Sequence, residues 1–189
     1  MPPLSPAARA HRADLTELVR LAEADLSVVF RKVTNAELVK GALNDILPKL
    51  VALYGSAAAS LAADWYEEQR VKAEVRGRFQ AITAELPTTG RTEALAGFAV
   101  GPLYGAKPDA ALALVKASGG LQRIIFNADR YTVMGSSVKD PRARGWQREG
   151  NGECQFCALL ISRGAVYTEG SVDFESHDRC RCVGVPAFD

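Results

Sequence analysis

The sequence predicts a mainly α-helical protein, with a helical region over residues 1–135 followed by a small α+β module with a zinc-knuckle-like cysteine and histidine motif over residues 136–189. Two observations lead to this fold class. Apolar residues recur at three- and four-residue steps through most of the first 135 positions, which is the spacing of amphipathic helices. After residue 135 the chain changes to short β-branched segments between Gly- and Asp-rich turns, and all four cysteines lie in this part.

The first predicted helix covers residues 14–30, where leucine and valine alternate with charged residues. Residues 34–37 have the form Thr-x-x-Glu, in which a cap hydroxyl and a glutamate satisfy free backbone N–H groups, so a second helix is expected to start there. Pro48 lacks an N–H and crowds the preceding turn, which predicts a kink near Asp45. Gly55 is expected to end this helix.

A third helix is predicted for residues 56–76, which are rich in Ala, Leu and Glu, and it is expected to continue over 78–86 until Pro87 forces a turn. Trp65, Tyr66 and Phe79 sit at helical spacing and are interpreted as core residues. A further helix is expected over residues 92–100. The Gly- and Pro-rich stretch 101–108 is expected to form a hinge or loop.

Asp109 precedes a predicted helix over residues 110–116 that Gly119 and Gly120 are expected to end. Residues 121–133 give another helical pattern, which is expected to close near Gly135. In the tail, residues 145–148, 165–168 and 182–185 are typical of strands. A short helix is predicted between them over residues 154–162, ended by Gly164.

The charge balance excludes a strong positive field over the whole molecule, because 23 Lys and Arg residues face 22 Asp and Glu residues. A local basic run is formed by Lys139, Arg142, Arg144 and Arg148. It is interpreted as a solvated face, since residues 136–189 contain seven basic and eight acidic side chains. His11 lies in a polar, Arg-flanked stretch and is also expected to be solvated.

No secretory signal is evident at the N-terminus, which favours a cytosolic site of synthesis. Charged residues interrupt every long apolar stretch, so no membrane anchor is expected. Cysteines that cluster in a cytosolic protein indicate metal or redox chemistry more than a network of disulfides.

The cysteine and histidine motif consists of Cys154-x-x-Cys157 and, after nineteen further residues, His177-x-x-Cys180-x-Cys182. A Cys-x-x-Cys turn lets two sulfurs converge on one ion, and a distant second group of donors closes a tetrahedron around zinc. Four of these five donors are expected to bind. If His177 binds, Cys180 or Cys182 is surplus. If the closing stretch is a strand, Cys180 and Cys182 share one face and both reach the metal, with His177 outside.

Two disulfides and free thiols remain alternatives to zinc, although disulfides require an oxidising location. A thioredoxin-like role for Cys154 and Cys157 is disfavoured because a helical region, not a strand, precedes them. A catalytic zinc keeps an open coordination position, and five candidate donors indicate a closed, structural site. The sequence contains no Gly-rich phosphate loop, nucleophile elbow or His-Glu-x-x-His motif, so no enzyme activity is expected.

The order of motifs in the tail resembles the MuF-like minor head (minor capsid) proteins of tailed bacteriophages. This order runs from Trp146 and Arg148 through Cys154-x-x-Cys157, an apolar helix and Val166-Tyr167 to His177-x-x-Cys180-Arg-Cys182 and a closing Val185-Pro186. Asp178 stands where members of that family often carry Pro. The resemblance covers about residues 140–189, and the helical region before it also looks like the one that precedes this module in such proteins.

The resemblance implies a non-enzymatic virion component that lies inside the head near the portal and acts in head assembly, DNA packaging or ejection. The implied partners are the portal protein, the inner surface of the major capsid protein and packaged DNA, with several copies in each virion and no membrane. The protein would be made in the cytoplasm of the bacterial host. Two other classes stay open: a zinc-ribbon module that binds nucleic acid, and a toxin- or effector-type phage protein.

Overall fold

The computed structural model describes residues 4–32, 35–152, 155–164, 166–168 and 173–188. The helices are α1 (Pro6–Lys32), α2 (Ala36–Leu50), α3 (Ser56–Lys72), α4 (Thr89–Val100), α5 (Ala110–Lys139) and α6 (Gln155–Ser162). Two strands, β1 (Ala143–Glu149) and β2 (Val183–Phe188), form an antiparallel pair. The described chain is therefore mainly helical with a small two-stranded sheet, and this confirms the mainly α-helical part of the predicted class.

The start of α2 is fixed by Asn35, whose side-chain oxygen accepts hydrogen bonds from the backbone N–H groups of Glu37 at 3.0 Å and Leu38 at 3.3 Å. An N-cap of this kind satisfies donors that the first helical turn leaves without partners. The predicted capping hydroxyl, on Thr34, lies outside the described residues. Within the described part, Asn35 is the residue that caps the helix.

The prediction that Gly55 ends the second helix is wrong. Gly55 has helical dihedral angles, φ −68° and ψ −42°, and the π-helical turn Val51–Gly55 joins α2 to α3. The chain also stays helical through Pro48. A Cβ atom on Gly55 would lie 2.9 Å from Leu86 Cδ2, so glycine is needed here for the close approach of a neighbouring segment.

The resulting helical run, Ala36–Lys72, is long and apolar enough to cross a membrane by length and composition alone. The sequence predicted no membrane-spanning segment because charged residues interrupt every long apolar stretch. Lys49 is one such residue in this run. Several side chains of this run lie in the core of the protein: Leu43, Leu47, Ala58, Ala62 and Trp65. Core helices pass the same test, so the run by itself assigns no membrane role.

Residues 78–88 are extended rather than helical, which corrects the predicted continuation of α3. The helix ends at Lys72, and Gly77 adopts a left-handed φ of +86°. Backbone donors of the extended segment bond instead to buried hydroxyls on α5. The N–H of Ile82 donates to Ser136 Oγ and that of Ala84 to Thr132 Oγ1, both at 2.9 Å.

Helix α5 runs for 30 residues without a break at Gly119 and Gly120, and it ends at Lys139 rather than near Gly135. Of the two central glycines, Gly120 permits a close approach of α4, whereas a Cβ on Gly119 would meet only ordinary contact distances. A Cβ on Gly120 would lie 2.2 Å from Leu95 Cδ1 of α4, and one on Gly119 would lie 3.4 Å from Asp178 Cβ. Because α5 contacts α1, α3, α4 and both strands, it crosses the proposed boundary at residue 135. The division into two domains stays a prediction.

His11 is buried, which corrects the expectation of a solvated side chain. It is 2% exposed, its Nε2 lies 2.5 Å from Asp129 Oδ1 on α5, and its ring stacks on Trp65 with centroids 4.3 Å apart. Helix α1 packs against α3 and α5, so this face of α1 is turned inward. Trp65 and Tyr66 are buried and Phe79 packs against them, as the core interpretation predicts.

Candidate metal centre

The candidate site lies where the β1–β2 pair and α6 meet α5. Among the predicted strands, residues 145–148 fall within β1, and residues 183–185 of the predicted strand 182–185 fall within β2. In the third predicted strand, residues 165–168, Tyr167 forms an isolated bridge with Trp146. Ala165 lies outside the described residues. Gly145 has a φ of +132°, and a Cβ there would lie 2.2 Å from Tyr167 O, so only glycine permits this bridge.

Three cysteine sulfurs converge at this place. Cys157 on α6 and Cys180 and Cys182 before β2 are all buried, and their Sγ atoms lie within 4.8 Å of one another. The Sγ atoms of Cys157 and Cys180 are 3.8 Å apart. Zinc–sulfur bonds of about 2.3 Å in a tetrahedron place two sulfurs about 3.8 Å apart, so this spacing fits a shared zinc ion. This separation is far longer than the sulfur–sulfur bond of a disulfide, about 2.05 Å, so Cys157 and Cys180 are not joined by one.

His177 lies beside the same cluster. Its Nε2 is 3.7 Å from Cys157 Sγ, close to the separation of about 3.6 Å that a nitrogen and a sulfur have on one tetrahedral zinc. Its Nδ1 lies 2.7 Å from the carbonyl oxygen of Asp178. When Nδ1–H donates to that carbonyl, Nε2 presents its lone pair to the sulfurs, as metal-binding histidines commonly do.

A tight turn brings His177 and Cys180 together. The N–H of Cys180 donates to the carbonyl of His177 at 3.1 Å, and Arg179 between them adopts a left-handed φ of +65°. Such a conformation costs a non-glycine residue about 1–2 kcal/mol. Beyond the turn, side chains alternate, with Cys180 and Cys182 buried and Arg179 and Arg181 exposed. Cys180 and Cys182 therefore share the inner face.

The structure thus brings together three of the five predicted donors, Cys157, Cys180 and Cys182, and places His177 Nε2 beside Cys157. Cys154 lies outside the described residues. A shared inner face for Cys180 and Cys182 was expected to leave His177 aside, but the turn places His177 next to Cys157 as well. Gly150 makes room for this arrangement, because a Cβ there would lie 2.5 Å from Cys182 Sγ.

Sequence reasoning missed Arg130 of α5, which holds the cysteine segment. Its side chain is fully buried, and it donates from Nε to the carbonyl of Cys182 and from Nη2 to that of Cys180, each at 2.9 Å. A third donation, from Nη1, goes to Asn127 Oδ1 at 2.8 Å. The available signal was that Arg130 is the single cation among residues 124–134.

Arg148 of β1 is buried, which corrects its assignment to a solvated basic face. It is 6% exposed and donates from Nη2 to the carbonyl of Glu175 at 2.8 Å. Its Nη1 lies 3.8 Å from Cys157 Sγ. Phe174 is packed between the guanidinium groups of Arg148, 3.9 Å from the ring centroid, and Arg130, at 4.7 Å.

These two arginines place two positive charges in the interior next to the cysteines. Within the described part of the chain, neither forms an ion pair with a carboxylate. A buried cation is costly without an opposite charge nearby, and thiolates are the anionic groups that this site offers. Three or four thiolates on one divalent ion carry a net charge of about −1 to −2. A neutral pair of disulfides would leave both guanidinium groups uncompensated.

The electrostatics of the thiols agree with an anionic site. A hydrogen bond from the Cys182 side chain, assisted by the charge of Arg130, lowers the pKa of Cys180 to about 4, although burial opposes the shift. The same interaction with Cys180, together with burial, raises the pKa of Cys182. Burial lowers the pKa of Arg130, while Cys180 and Asp129 favour its charged form.

Comparison with known proteins places the chain in a family. Searches of curated proteins and of solved structures find no match to it. A family model described as VG15 protein, which is a viral gene product, matches residues 4–189. This match fits a phage protein and leaves the function within the phage unspecified. Because the match covers nearly the whole sequence, the chain belongs to the VG15 protein family.

Proposed function

We propose that this chain is a non-enzymatic minor head protein of a tailed phage, carried in several copies inside the head near the portal. Its partners in this proposal are the portal protein, the inner surface of the major capsid protein, or both, and it acts in head assembly, DNA packaging or ejection. It is made in the cytoplasm of the bacterial host and has no membrane partner.

One observation carries the proposal: the tail has the ordered cysteine and histidine motif of MuF-like minor head proteins in a chain that belongs to a viral family. The geometry of the site supports a structural role for that motif. The sulfurs of its three described cysteines, Cys157, Cys180 and Cys182, are buried and close to one another. A small module with few apolar residues gains rigidity from such a centre without a large core of its own.

The metal in this proposal is a structural zinc ion. Cys157, Cys180 and Cys182 supply three ligands, and the fourth comes from His177 or from Cys154. When bound, zinc would supply a tetrahedral cross-link among donors that are distant in sequence. Arg130 orients the cysteine segment through two carbonyl groups, and Arg148 offsets the charge of the thiolates.

The proposed location is tested by quantitative mass spectrometry of gradient-purified virions of the phage that encodes the chain, with its portal protein as reference. We expect a few copies per portal ring, protected from external protease in intact particles. Absence of the protein from mature virions, or its cleavage by protease without particle opening, would contradict a place inside the head.

The proposed role is tested by deleting the gene and complementing it in trans. We expect fewer infectious particles, with a defect in DNA-filled heads or in DNA delivery. The complementing copy with Cys180→Ser should fail to restore infectivity. The matched variant Ser162→Ala, which removes an exposed hydroxyl of α6, should restore it. Full infectivity of the deletion phage would argue against any role in the head.

A further inference from the structure

A surface pocket of about 110 Å³ opens beside the cysteines of the candidate metal centre. Cys157, Cys180 and Cys182 all line it, together with His177 and Gly152. The three cysteines are only 3–5% exposed, so a protein or a bulky reagent does not reach their sulfurs. A water molecule takes up about 30 Å³ in the liquid, so a pocket of this volume admits solutes as small as hydrogen peroxide.

Of the three cysteines, Cys157 and Cys180 are the best placed to form a disulfide with each other. Their Sγ atoms are 3.8 Å apart, so an approach of about 1.8 Å reaches the bond length of about 2.05 Å. They also belong to different elements, α6 and the segment before β2. Cys180 and Cys182 share one segment with the alternating burial of an extended chain, in which their Cα atoms lie about 6.6 Å apart. This distance is close to the upper limit for a disulfide, about 6.8 Å.

Helix α6 is held in the module by few side chains. It is 8 residues long, and its buried residues are Cys157 and Ile161. Phe156 and Leu159 are exposed. Because a short helix depends on packing of its buried face, little resists a shift of α6 towards Cys180. Movement of α6 by itself can therefore bring the two sulfurs into bonding distance.

We propose that Cys157 and Cys180 are a redox modification site: hydrogen peroxide oxidises the pair to a disulfide, and the centre then releases its metal. The inference rests on the zinc centre of the proposed function. In that setting, the reducing cytoplasm of the host keeps the pair reduced, and the pair meets oxidants once particles leave the cell.

The oxidation proceeds in two steps. One thiolate of the pair attacks a peroxide oxygen, so an S–O bond forms, the O–O bond breaks, and the departing hydroxide takes a proton from solvent. The other thiolate attacks the sulfur of the resulting sulfenic acid. An S–S bond forms, the S–O bond breaks, and a second hydroxide is protonated to water. Two thiolates, one peroxide and two protons thus give one disulfide and two waters, and the two electrons lost by the sulfurs reduce the peroxide.

The disulfide removes two ligands from the zinc centre. Thiolates bind metal ions, whereas disulfide sulfurs carry no charge. Cys182 and the fourth ligand, His177 or Cys154, then remain, and two donors do not complete the tetrahedron of a structural zinc site. Zinc therefore leaves as the divalent ion, without a change of oxidation state.

Oxidation also removes the anionic charge beside two buried cations. Arg130 is fully buried, and Arg148 Nη1 lies 3.8 Å from Cys157 Sγ. In the described part of the chain, neither guanidinium group pairs with a carboxylate. Because buried cations without counter-charges are costly, the oxidised module should be less stable than the zinc form. The site thus converts a change of two electrons into loosening of residues 136–189.

The test uses the full chain, reduced, loaded with zinc and freed of excess reductant. Elemental analysis first measures its zinc. Hydrogen peroxide is then added and quenched with catalase, a metal-binding dye measures released zinc, and remaining thiols are alkylated before mass spectrometry of the digested chain. We expect one zinc released and one Cys157–Cys180 disulfide formed per chain, and a dithiol reductant with added zinc should restore the starting form. Trypsin should cut residues 136–189 faster after oxidation.

Two variants separate the cysteine pair from other oxidations. Met134 lies in the same apolar cluster as the cysteines and is itself a target of peroxide. Met134→Leu removes this thioether with little change of volume and should release zinc as the wild type does. Cys182→Ser keeps both thiols of the pair, so it should form the same disulfide even if it no longer holds zinc.

Retention of zinc by the peroxide-treated chain would overturn the proposal. Zinc release that is accompanied only by sulfinic acid or methionine sulfoxide, or by a disulfide between other cysteines, would also overturn it. Absence of zinc from the reduced starting protein would instead contradict the zinc centre of the proposed function. Absence of the chain from virions would contradict its place in the head and would leave the redox pair intact.

Discussion

The predicted helical region, residues 1–135 and called the body below, and the predicted cysteine module, residues 136–189, differ in their apolar clusters. The body has a continuous apolar core in which leucine, valine, isoleucine and alanine from α1 to α5 are buried together. The core of the module is small: Met134, Trp146, Ile161 and Phe174 surround Cys157, Cys180 and Cys182. A core of this size gives little hydrophobic stabilisation, so the module depends on its polar centre to a degree that the body does not.

Adjacent residues of α5 show the same contrast. Asp129 faces the body and pairs with the buried His11 of α1, so its charge is met by a single side chain. Arg130 faces the module and donates to the carbonyls of Cys180 and Cys182, so its charge depends on the anionic sulfur centre. Adjacent residues of α5 therefore carry the His11–Asp129 contact on one side and the Arg130 contacts to the cysteine segment on the other.

The largest expected effect is the loss of the module when the metal centre is broken. Cys180→Ser, or removal of zinc by a chelator, should abolish stoichiometric metal binding, because binding energies of structural zinc are about 10–16 kcal/mol. Fluorescence of Trp146, buried in the module, should shift to the red, while far-UV circular dichroism keeps most of its helical signal. Elemental analysis under reducing conditions measures the metal.

Ser162→Ala in α6 is the matched control and should retain one zinc per chain. Comparison of His177→Ala with Cys154→Ser identifies the fourth ligand, since only the ligand's loss should lower zinc affinity strongly. Protein without metal but with two intact disulfides after thiol-free isolation would contradict the zinc centre. Unfolding of the whole chain by the chelator would contradict the independence of the body.

The next effect concerns the link between the two regions. Arg130→Met leaves the carbonyls of Cys180 and Cys182 without their buried donor. We expect the free energy of unfolding to fall by about 3–5 kcal/mol. Zinc affinity should fall about 10–100-fold, as when partners of metal ligands are removed. Competition with a zinc-binding dye measures the affinity, and thermal denaturation measures the stability.

Arg123→Met on the same helix is the control for this link. The guanidinium group of Arg123 forms an exposed ion pair with Asp178 at 3.4 Å. Loss of this ion pair should lower the free energy of unfolding by at most about 1 kcal/mol. Equal zinc affinity in Arg130→Met and the wild type would show that the cysteine segment holds its shape without Arg130.

A smaller effect is expected within the body. His11→Ala removes the partner of the buried Asp129 and the ring that stacks on Trp65, which should cost about 3 kcal/mol. The expected decrease in Tm is about 6–12 °C for a chain of this size. Zinc content should not change, because His11 belongs to the body. A loss of zinc in His11→Ala would show that the two regions are coupled through α5.

The smallest effect compares two glycines of α5. Gly120→Ala places a Cβ against Leu95 of α4 and should destabilise the body by about 1–2 kcal/mol, because Leu95 must move. Gly135→Ala meets no atom within 4 Å and should stabilise the helix by about 0.5–1 kcal/mol. Urea denaturation followed by circular dichroism measures both. Equal effects of the two changes would contradict the close approach of α4 and α5.

Local rules predicted the elements but failed at several of their ends. Apolar spacing located α1, α2, α3 and α4, and short segments between Gly- and Asp-rich turns located β1 and β2. Breaker rules were wrong at Gly55, Gly119 and Gly120, which lie inside helical runs, and at Gly55 and Gly120 the missing Cβ permits a close approach of a neighbouring leucine. They also missed the extended segment 78–88, whose backbone donors find hydroxyls on α5, far away in sequence.

The candidate metal centre likewise has residues that local spacing predicted and residues that only tertiary contacts reveal. Spacing alone identified the candidate donors Cys157, His177, Cys180 and Cys182, because metal ligands recur at short intervals that local turns bring together. The arginines around them were missed or misassigned. Arg130 is distant in sequence from the cysteines it holds, and Arg148 looked like one member of an exposed basic run.

The sequence by itself therefore determined the helical class, the ordered cysteine and histidine motif and its resemblance to minor head proteins, since these depend on residue type and local spacing. Only the tertiary structure decided which charges are buried. His11 and Asp129 pair across helices, and Arg130 and Arg148 pack on either side of Phe174 beside the cysteines. Burial of charge depends on contacts between distant segments, which no local pattern of residues specifies.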